Sequence, residues 1–200
     1  MSALGWWSVA AACFGTALAL GMFVAARTPR GLDVAAAALR GRGVTLARLF
    51  TRLGRWYALV AILVVAYAVA TALGRSPQAL LAVAVLQSLS QSVNLWLKHR
   101  FGRLRPDRWL VWKEPDTSYP SGHAMTAMTF YFPLALAAWS APLPPEGRIG
   151  LTALAAACVA GLPWSRLALG AHYLSDVAGG LLFGGGWLCL LLGLTAQAAH

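Results

Sequence analysis

The chain has 200 residues, room for one domain and little more; 59% are apolar and 11% charged, well outside the range of ordinary soluble domains. Sixteen Lys and Arg against six Asp and Glu give a net charge of +10. That excess does not indicate nucleic acid: the cations gather between long uncharged runs, as they do in membrane proteins, and no nucleic-acid-binding module is present.

Six apolar runs follow one another: Gly5–Ala26, Trp56–Gly74, Gln78–Leu97, Ser121–Ala141, Ile149–Pro163 and Tyr173–Ala196. A helix needs roughly 17–25 apolar residues to cross a bilayer core, which five runs supply and Ile149–Pro163 barely approaches. The expected fold class is all-α: an integral-membrane bundle of six transmembrane helices forming a single domain over residues 1–200. The first run lacks a basic leader and ends at Arg27, so it is read as a retained helix, not a secretory signal. Between helices 1 and 2, Gly31–Arg55 alternates Val34, Leu39, Val44, Leu46, Leu49 and Phe50 with Arg40, Arg42, Arg48 and Arg52. This is either a short amphipathic surface segment or a plain basic connector, and in both cases it can draw anionic lipid. Most of the nine Trp, among them Trp56, Trp96, Trp109, Trp112 and Trp164, fall near expected helix ends, where interfacial anchors belong. Cys13, Cys158 and Cys189 lie within spans at no metal-ligand spacing and read as packing residues.

In the third run Gln87, Gln91, Asn94 and Lys98 recur at helical spacing, so one polar face leads to Lys98 and should turn into the bundle. In the last run Gly180 and Gly184 form a small-xxx-small pair that suggests close helix packing in preference to a substrate groove. Six spans place Arg27–Arg55, Lys98–Pro120 and Trp164–His172 on one membrane face.

Three polar clusters on that face carry the chemistry. Asp176 is read as the acidic residue at membrane depth, where a carboxylate needs a partner. His172, four residues earlier, shares its helical face. The pair is either a nucleophilic imidazole held in one tautomer or a structural hydrogen bond at a helix start. Pro120-Ser121-Gly122-His123 is either an anion site at a helix start, with Ser121 as N-cap and His123 placed to protonate a leaving alkoxide, or a helix cap with an interfacial His. Lys98, Arg105 and Arg166 are phosphate ligands or interfacial cations. Arg100, Arg103, Arg108 and Lys113 receive no assignment.

Read together, the clusters spell K-x6-R-P at Lys98–Pro106, P-S-G-H at Pro120–His123 and S-R-x5-H-x3-D at Ser165–Asp176. In this the chain resembles the type 2 phosphatidic acid phosphatase superfamily, integral-membrane lipid phosphatases that share a catalytic plan with vanadium haloperoxidases. The resemblance implies that His172 attacks phosphorus to form a phosphohistidine, with Asp176 orienting it. His123 would protonate the leaving oxygen and then activate water. Lys98, Arg105, Ser121, Gly122 and Arg166 would hold the phosphate, with no metal and no cofactor. It also implies a phosphorylated membrane lipid as substrate: phosphatidic acid, phosphatidylglycerol phosphate, undecaprenyl diphosphate or a lipid A phosphate. A phosphotransferase using the same intermediate, or a non-enzymatic protein that binds or transports anionic lipid, would carry some of the same residues. Nucleic acid is not an expected partner, and oligomeric state is not legible. The expected location is the bacterial cytoplasmic (inner) membrane. Fourteen of the sixteen Lys and Arg lie on the motif face, which argues for a cytoplasmic site, whereas the resemblance argues for one facing the periplasm or exterior; the latter is taken as the expectation.

Overall fold

The computed structural model describes residues 1–107, 115–141 and 143–198. Trp109, Trp112, Arg108 and Lys113 therefore lie outside the described residues. Among those described, the chain is all-α. The helices are α1 (Ala3–Ala25), α2 (Leu32–Ala35), α3 (Val44–Leu53), α4 (Trp56–Ala72), α5 (Gln78–Phe101), α6 (Gly122–Thr126), α7 (Phe132–Ser140), α8 (Pro145–Ala168) and α9 (Leu174–Ala198). A 3₁₀ turn, Ala36–Leu39, follows α2, and a π-helical stretch, Ala127–Tyr131, joins α6 to α7.

Beside an apolar core, the bundle buries many polar side chains and exposes many large apolar ones. Gln87, Ser90, Asn94, Thr126, Thr129, Ser165, Arg166 and Asp176 are buried, while Val60, Val64, Val85, Leu89, Leu136, Leu154 and Leu194 are exposed. Helices bond their own backbones and tolerate hydrocarbon around them, so such apolar flanks are stable in lipid. By length and composition α1, α5, α8 and α9 can each cross a membrane, and α3 with α4 makes a fifth crossing if that pair, bent by 61°, is one span. The chain is a multi-pass membrane protein. Taken alone, α4 has only 17 residues, and the expected fourth span is divided by its π-helical stretch. Pro133, near the start of α7, has no N–H for the ladder, which is the usual chemistry behind a locally widened turn.

The fifth run departs from expectation. Hydropathy ends it at Pro163, but α8 continues through that proline to Ala168, so Ser165 and Arg166 sit on a helix and not in a loop. An interior proline frees a backbone carbonyl, which neighbouring groups can satisfy in a packed membrane bundle.

Packing is organised around α9. Ala10, Ala17 and Gly21 are buried on α1, which runs against α9. Phe14 meets Phe183 and, edge-on, Trp187, with ring centroids 6.2 and 6.0 Å apart. On another side, Gly180 and Gly184 admit residues 121–128: an added Cβ would stand 2.4 Å from the Ser121 carbonyl oxygen and 2.7 Å from Met128 Cβ. The segment between α1 and α4, expected to be amphipathic, is helical at α2 and α3. Arg48 and Arg52 of α3 face outward, Ala47 and Thr51 are buried, and Phe50 meets Trp164 of α8 edge-on.

Candidate active site

Lys98 lies in the last turn of α5, above a buried polar ladder. Gln87 donates to Thr126 Oγ1 (3.0 Å), Gln91 to the Gly122 carbonyl (3.3 Å) and Asn94 to the Pro120 carbonyl (3.3 Å). The stripe turns into the bundle and ties α5 to the Pro120–Thr126 segment. Lys98 Nζ donates to the Thr117 carbonyl at 2.5 Å and stands 3.1 Å from Asp116 Oδ2.

The chain reaches His172 through Gly170, whose φ of +68° favours glycine. There Ala171 N bonds back to the Arg166 carbonyl at 2.9 Å, ending α8 in a tight turn. His172 is buried. Its Nε2 lies 2.9 Å from Arg105 Nη1. A guanidinium can only donate, so Nε2 accepts and the ring proton sits on Nδ1. Nδ1 faces Ser118 Oγ at 3.4 Å and Asp176 Oδ2 at 3.5 Å, and the Ser118 hydroxyl donates to that same Oδ2 at 2.5 Å. Imidazole, serine and carboxylate thus form a triangle, and the lone pair of Nε2 points toward Arg105.

Asp176 is fully buried, with its remaining positions filled. Arg103 Nη1 donates to Oδ1 at 2.5 Å and Tyr173 N to Oδ2 at 2.8 Å. Arg103 also donates to Ser175 Oγ (2.7 Å) and to Asp33 Oδ2 (2.8 Å), and Asp33 accepts from Ser175 N at 2.8 Å. Burial opposes the Arg103 charge, but Asp176 and Asp33 outweigh it and raise its pKa above the ordinary arginine value. Tyr119 is pushed above its usual range by burial and by Asp176; it stays protonated and donates to the Ala17 carbonyl.

The second histidine enters from α6. His123 Nε2 donates to the Thr51 carbonyl at 3.1 Å, which leaves Nδ1 as the nitrogen that can take up or give a proton. Thr51 also links Arg166 to this wall: Arg166 Nη1 donates to Thr51 Oγ1 at 3.3 Å, and that hydroxyl is 3.0 Å from Ser165 Oγ. Arg166 is fully buried. Ser121 occupies the N-cap position, but its side chain makes no capping bond; its buried hydroxyl has no hydrogen-bond partner among the described residues. The expected capping role is therefore absent, and the oxygen is left for another contact.

Lys98, Arg105, Gly122, His123 and His172 all line one cavity of about 300 Å³, together with Asp116, Gln91 and Trp56. Asp176 stands behind His172, and Ser121 and Arg166 are buried next to these residues. The structure brings all eight candidate residues together. Four that also take part were not singled out by spacing: Arg103, Asp33, Asp116 and Ser118. Asp176 is consequently not the lone acid at this depth, since Asp33 shares its arginine. Scarcity was the available signal, because six carboxylates among sixteen cations are each expected to find a partner.

Comparison with known proteins bears on the family and the fold. Over 105 residues the chain is 36% identical to a protein of Rhizobium etli named lipid A 1-phosphatase, matching 48% of this chain and 40% of that one. A lipid A 1-phosphatase of Rhizobium johnstonii is 35% identical over 105 residues, 48% of this chain and 38% of its own. The matches thus span less than half the length of these relatives. A crystal structure titled as the first transmembrane PAP2 type phosphatidylglycerolphosphate phosphatase, from Bacillus subtilis, superposes with a TM-score of 0.73 over 95% of this chain and 96% of that one. At 21% identity that likeness establishes the fold alone. Residues 77–198, which hold all eight candidate residues, match the profile of the PAP2 superfamily, and the chain belongs to that superfamily.

Proposed function

We propose that the protein is a lipid phosphatase that removes a terminal phosphate from a membrane lipid through a phosphohistidine on His172. The observation that carries this reading is the orientation of His172: Nδ1 toward Ser118 and Asp176, and Nε2 an acceptor on the wall of the cavity that also holds His123. Nε2 attacks phosphorus as the bond to the lipid oxygen breaks, and His123, which enters this step as the imidazolium, gives that oxygen the proton on Nδ1 while its Nε2–H stays on the Thr51 carbonyl. Water then attacks the phosphohistidine, losing its proton to His123; the P–N bond breaks and inorganic phosphate leaves. Asp176 stabilises the imidazolium character that develops on His172. Lys98, Arg105, Arg166, Ser121 and the backbone at Gly122 offset charge on the equatorial oxygens. This residue set supplies the nucleophile, acid and charge stabilisation without a metal or cofactor.

The names of the relatives make a lipid A 1-phosphate the first substrate to test, with phosphatidylglycerol phosphate, phosphatidic acid and undecaprenyl diphosphate beside it. We read residues 1–200 as one unit crossing the bacterial inner membrane six times, with α4 as the second crossing and the α6–π–α7 run as the fourth. The site is assigned to the periplasmic or external face. Arg42 is exposed, next to Gly41, whose N–H bonds the Ala168 carbonyl at the end of α8, so Arg42→Cys should react with an impermeant thiol reagent in intact cells; protection until lysis would reverse the orientation. The activity itself is tested by phosphate release from that lipid panel. Wild type should release phosphate from at least one lipid and His172→Ala from none; release by His172→Ala would sink the mechanism.

A further inference from the structure

Asp116 lies among the cations expected to bind phosphate. Its Oδ2 is 3.1 Å from Lys98 Nζ, and Oδ1 accepts from Arg105 Nη2. Lys98 and Arg105 are almost wholly buried, whereas the Asp116 side chain is 36% exposed and lines the same cavity as His123 and His172. The carboxylate therefore meets both cations from the side on which substrate would sit. Two oxygens forking a guanidinium and an ammonium are also what a phosphate would present.

We propose that Asp116 is a specificity-determining residue: its carboxylate competes with the incoming headgroup for Lys98 and Arg105, so that a terminal phosphate displaces it and a phosphodiester does not. This rests on the lipid-phosphatase reading above. A diester headgroup carries a single negative charge, so exchanging it for a carboxylate gains no charge interaction with the cations and forfeits a tethered ligand. A phosphate monoester carries about −1.5 to −2 at neutral pH and three acceptor oxygens, and gains on both counts. An enzyme embedded in phosphodiester lipids needs such discrimination to keep its cavity clear.

The local structure permits the exchange. The backbone on the C-terminal side of Asp116 is pinned: Ser118 N bonds the Arg103 carbonyl at 2.8 Å, and Thr117 Oγ1 bonds the Lys98 carbonyl at 2.7 Å. The carboxylate can rotate away while that frame stays in place. Arg105 holds Asp116 with one nitrogen and His172 Nε2 with another, so a phosphate that replaces the carboxylate arrives beside the attacking nitrogen.

The test compares the full-length, detergent-solubilised protein with Asp116→Asn and Asp116→Glu. In Asp116→Asn, inhibition by inorganic phosphate should tighten about tenfold, the scale of one charge-assisted contact. Phosphatidylglycerol in mixed micelles should become a competitive inhibitor, while wild type and Asp116→Glu resist it at the same mole fraction. Unchanged or weaker phosphate inhibition in Asp116→Asn would overturn the proposal and make Asp116 a positioning group. So would Asp116→Glu behaving like Asp116→Asn. A thermal-shift titration with inorganic phosphate reads the same competition without turnover. If wild type hydrolyses no lipid while the titration midpoint still falls tenfold in Asp116→Asn, the catalytic reading fails and this one stands. Normal turnover with equal midpoints has the opposite meaning.

Discussion

Arg105 Nη1 lies 2.9 Å from His172 Nε2, and this one contact fixes the tautomer of the histidine as well as the direction of its lone pair. The same guanidinium donates through Nε to the Asp116 carbonyl at 3.0 Å and through Nη1 to the Ala171 carbonyl at 3.1 Å. It is a planar fork held in place by the backbone of two distant segments. A lysine would keep the charge but not the fork. Arg105→Lys is expected to lower kcat about a hundredfold, the scale of losing one preorganised oxyanion donor. Steady-state phosphate release from the lipid identified in the substrate panel checks it, and a rate within threefold of wild type would remove Arg105 from the transition state.

Asp176 sits in a ring of donors: Arg103, Ser118 and Tyr173 N. Replacing one carboxylate oxygen by an amide puts an N–H where a donor already stands, and the proton on His172 Nδ1 loses its anionic partner. Asp176→Asn should therefore lower kcat by about 10³- to 10⁴-fold with KM little changed. Alkaline-quenched protein should show the phosphohistidine accumulating correspondingly more slowly.

The candidate residues that were legible in the sequence lie in segments where spacing dictates geometry. His172 and Asp176 are four apart at a helix start; Gln87, Gln91, Asn94 and Lys98 share one face of α5; Ser121, Gly122 and His123 open α6. What spacing did not show are contacts between residues far apart in the chain. Asp33 meets Ser175 and Arg103, and nothing local distinguishes Arg103 from Arg100. Hydropathy located the apolar runs, but it measures transfer into lipid and not packing. It stopped the fifth run at Pro163, because Trp-Ser-Arg reads as the edge of a membrane. The bundle instead buries Arg166 against Thr51, a partner that only the tertiary fold supplies.

The bridge from Asp33 through Arg103 to Asp176 places one cation between two carboxylates that are nearly or fully buried. Removing the cation leaves both acids facing each other in a poorly hydrated site. Arg103→Leu should destabilise the protein by about 3–5 kcal/mol, the usual cost of breaking a buried pair. Adding Asp33→Asn should recover part of that loss, because one of the stranded charges disappears. Thermal unfolding in detergent measures both, and additive losses in the double variant would show that the bridge is not a coupled unit.

Gly180 tests whether the approach of α9 sets the site as well as the fold. A Cβ at this position would lie 2.4 Å from the Ser121 carbonyl oxygen and 2.9 Å from Ala124 Cβ. Ser121 N is also bonded to the Asp176 carbonyl at 3.0 Å, so these two segments cannot separate without moving the Ser121–His123 turn relative to His172. The obstacle is backbone, which cannot rotate away, so Gly180→Ala should cost about 1–3 kcal/mol of stability through overpacking. A displacement on the order of 1 Å at the reacting groups is worth about a hundredfold in rate. Gly185, in the same helix, has open space where a Cβ would go. Gly185→Ala should therefore leave both the melting temperature and kcat close to wild type, and loss of activity in that variant to the same extent would refute the packing argument.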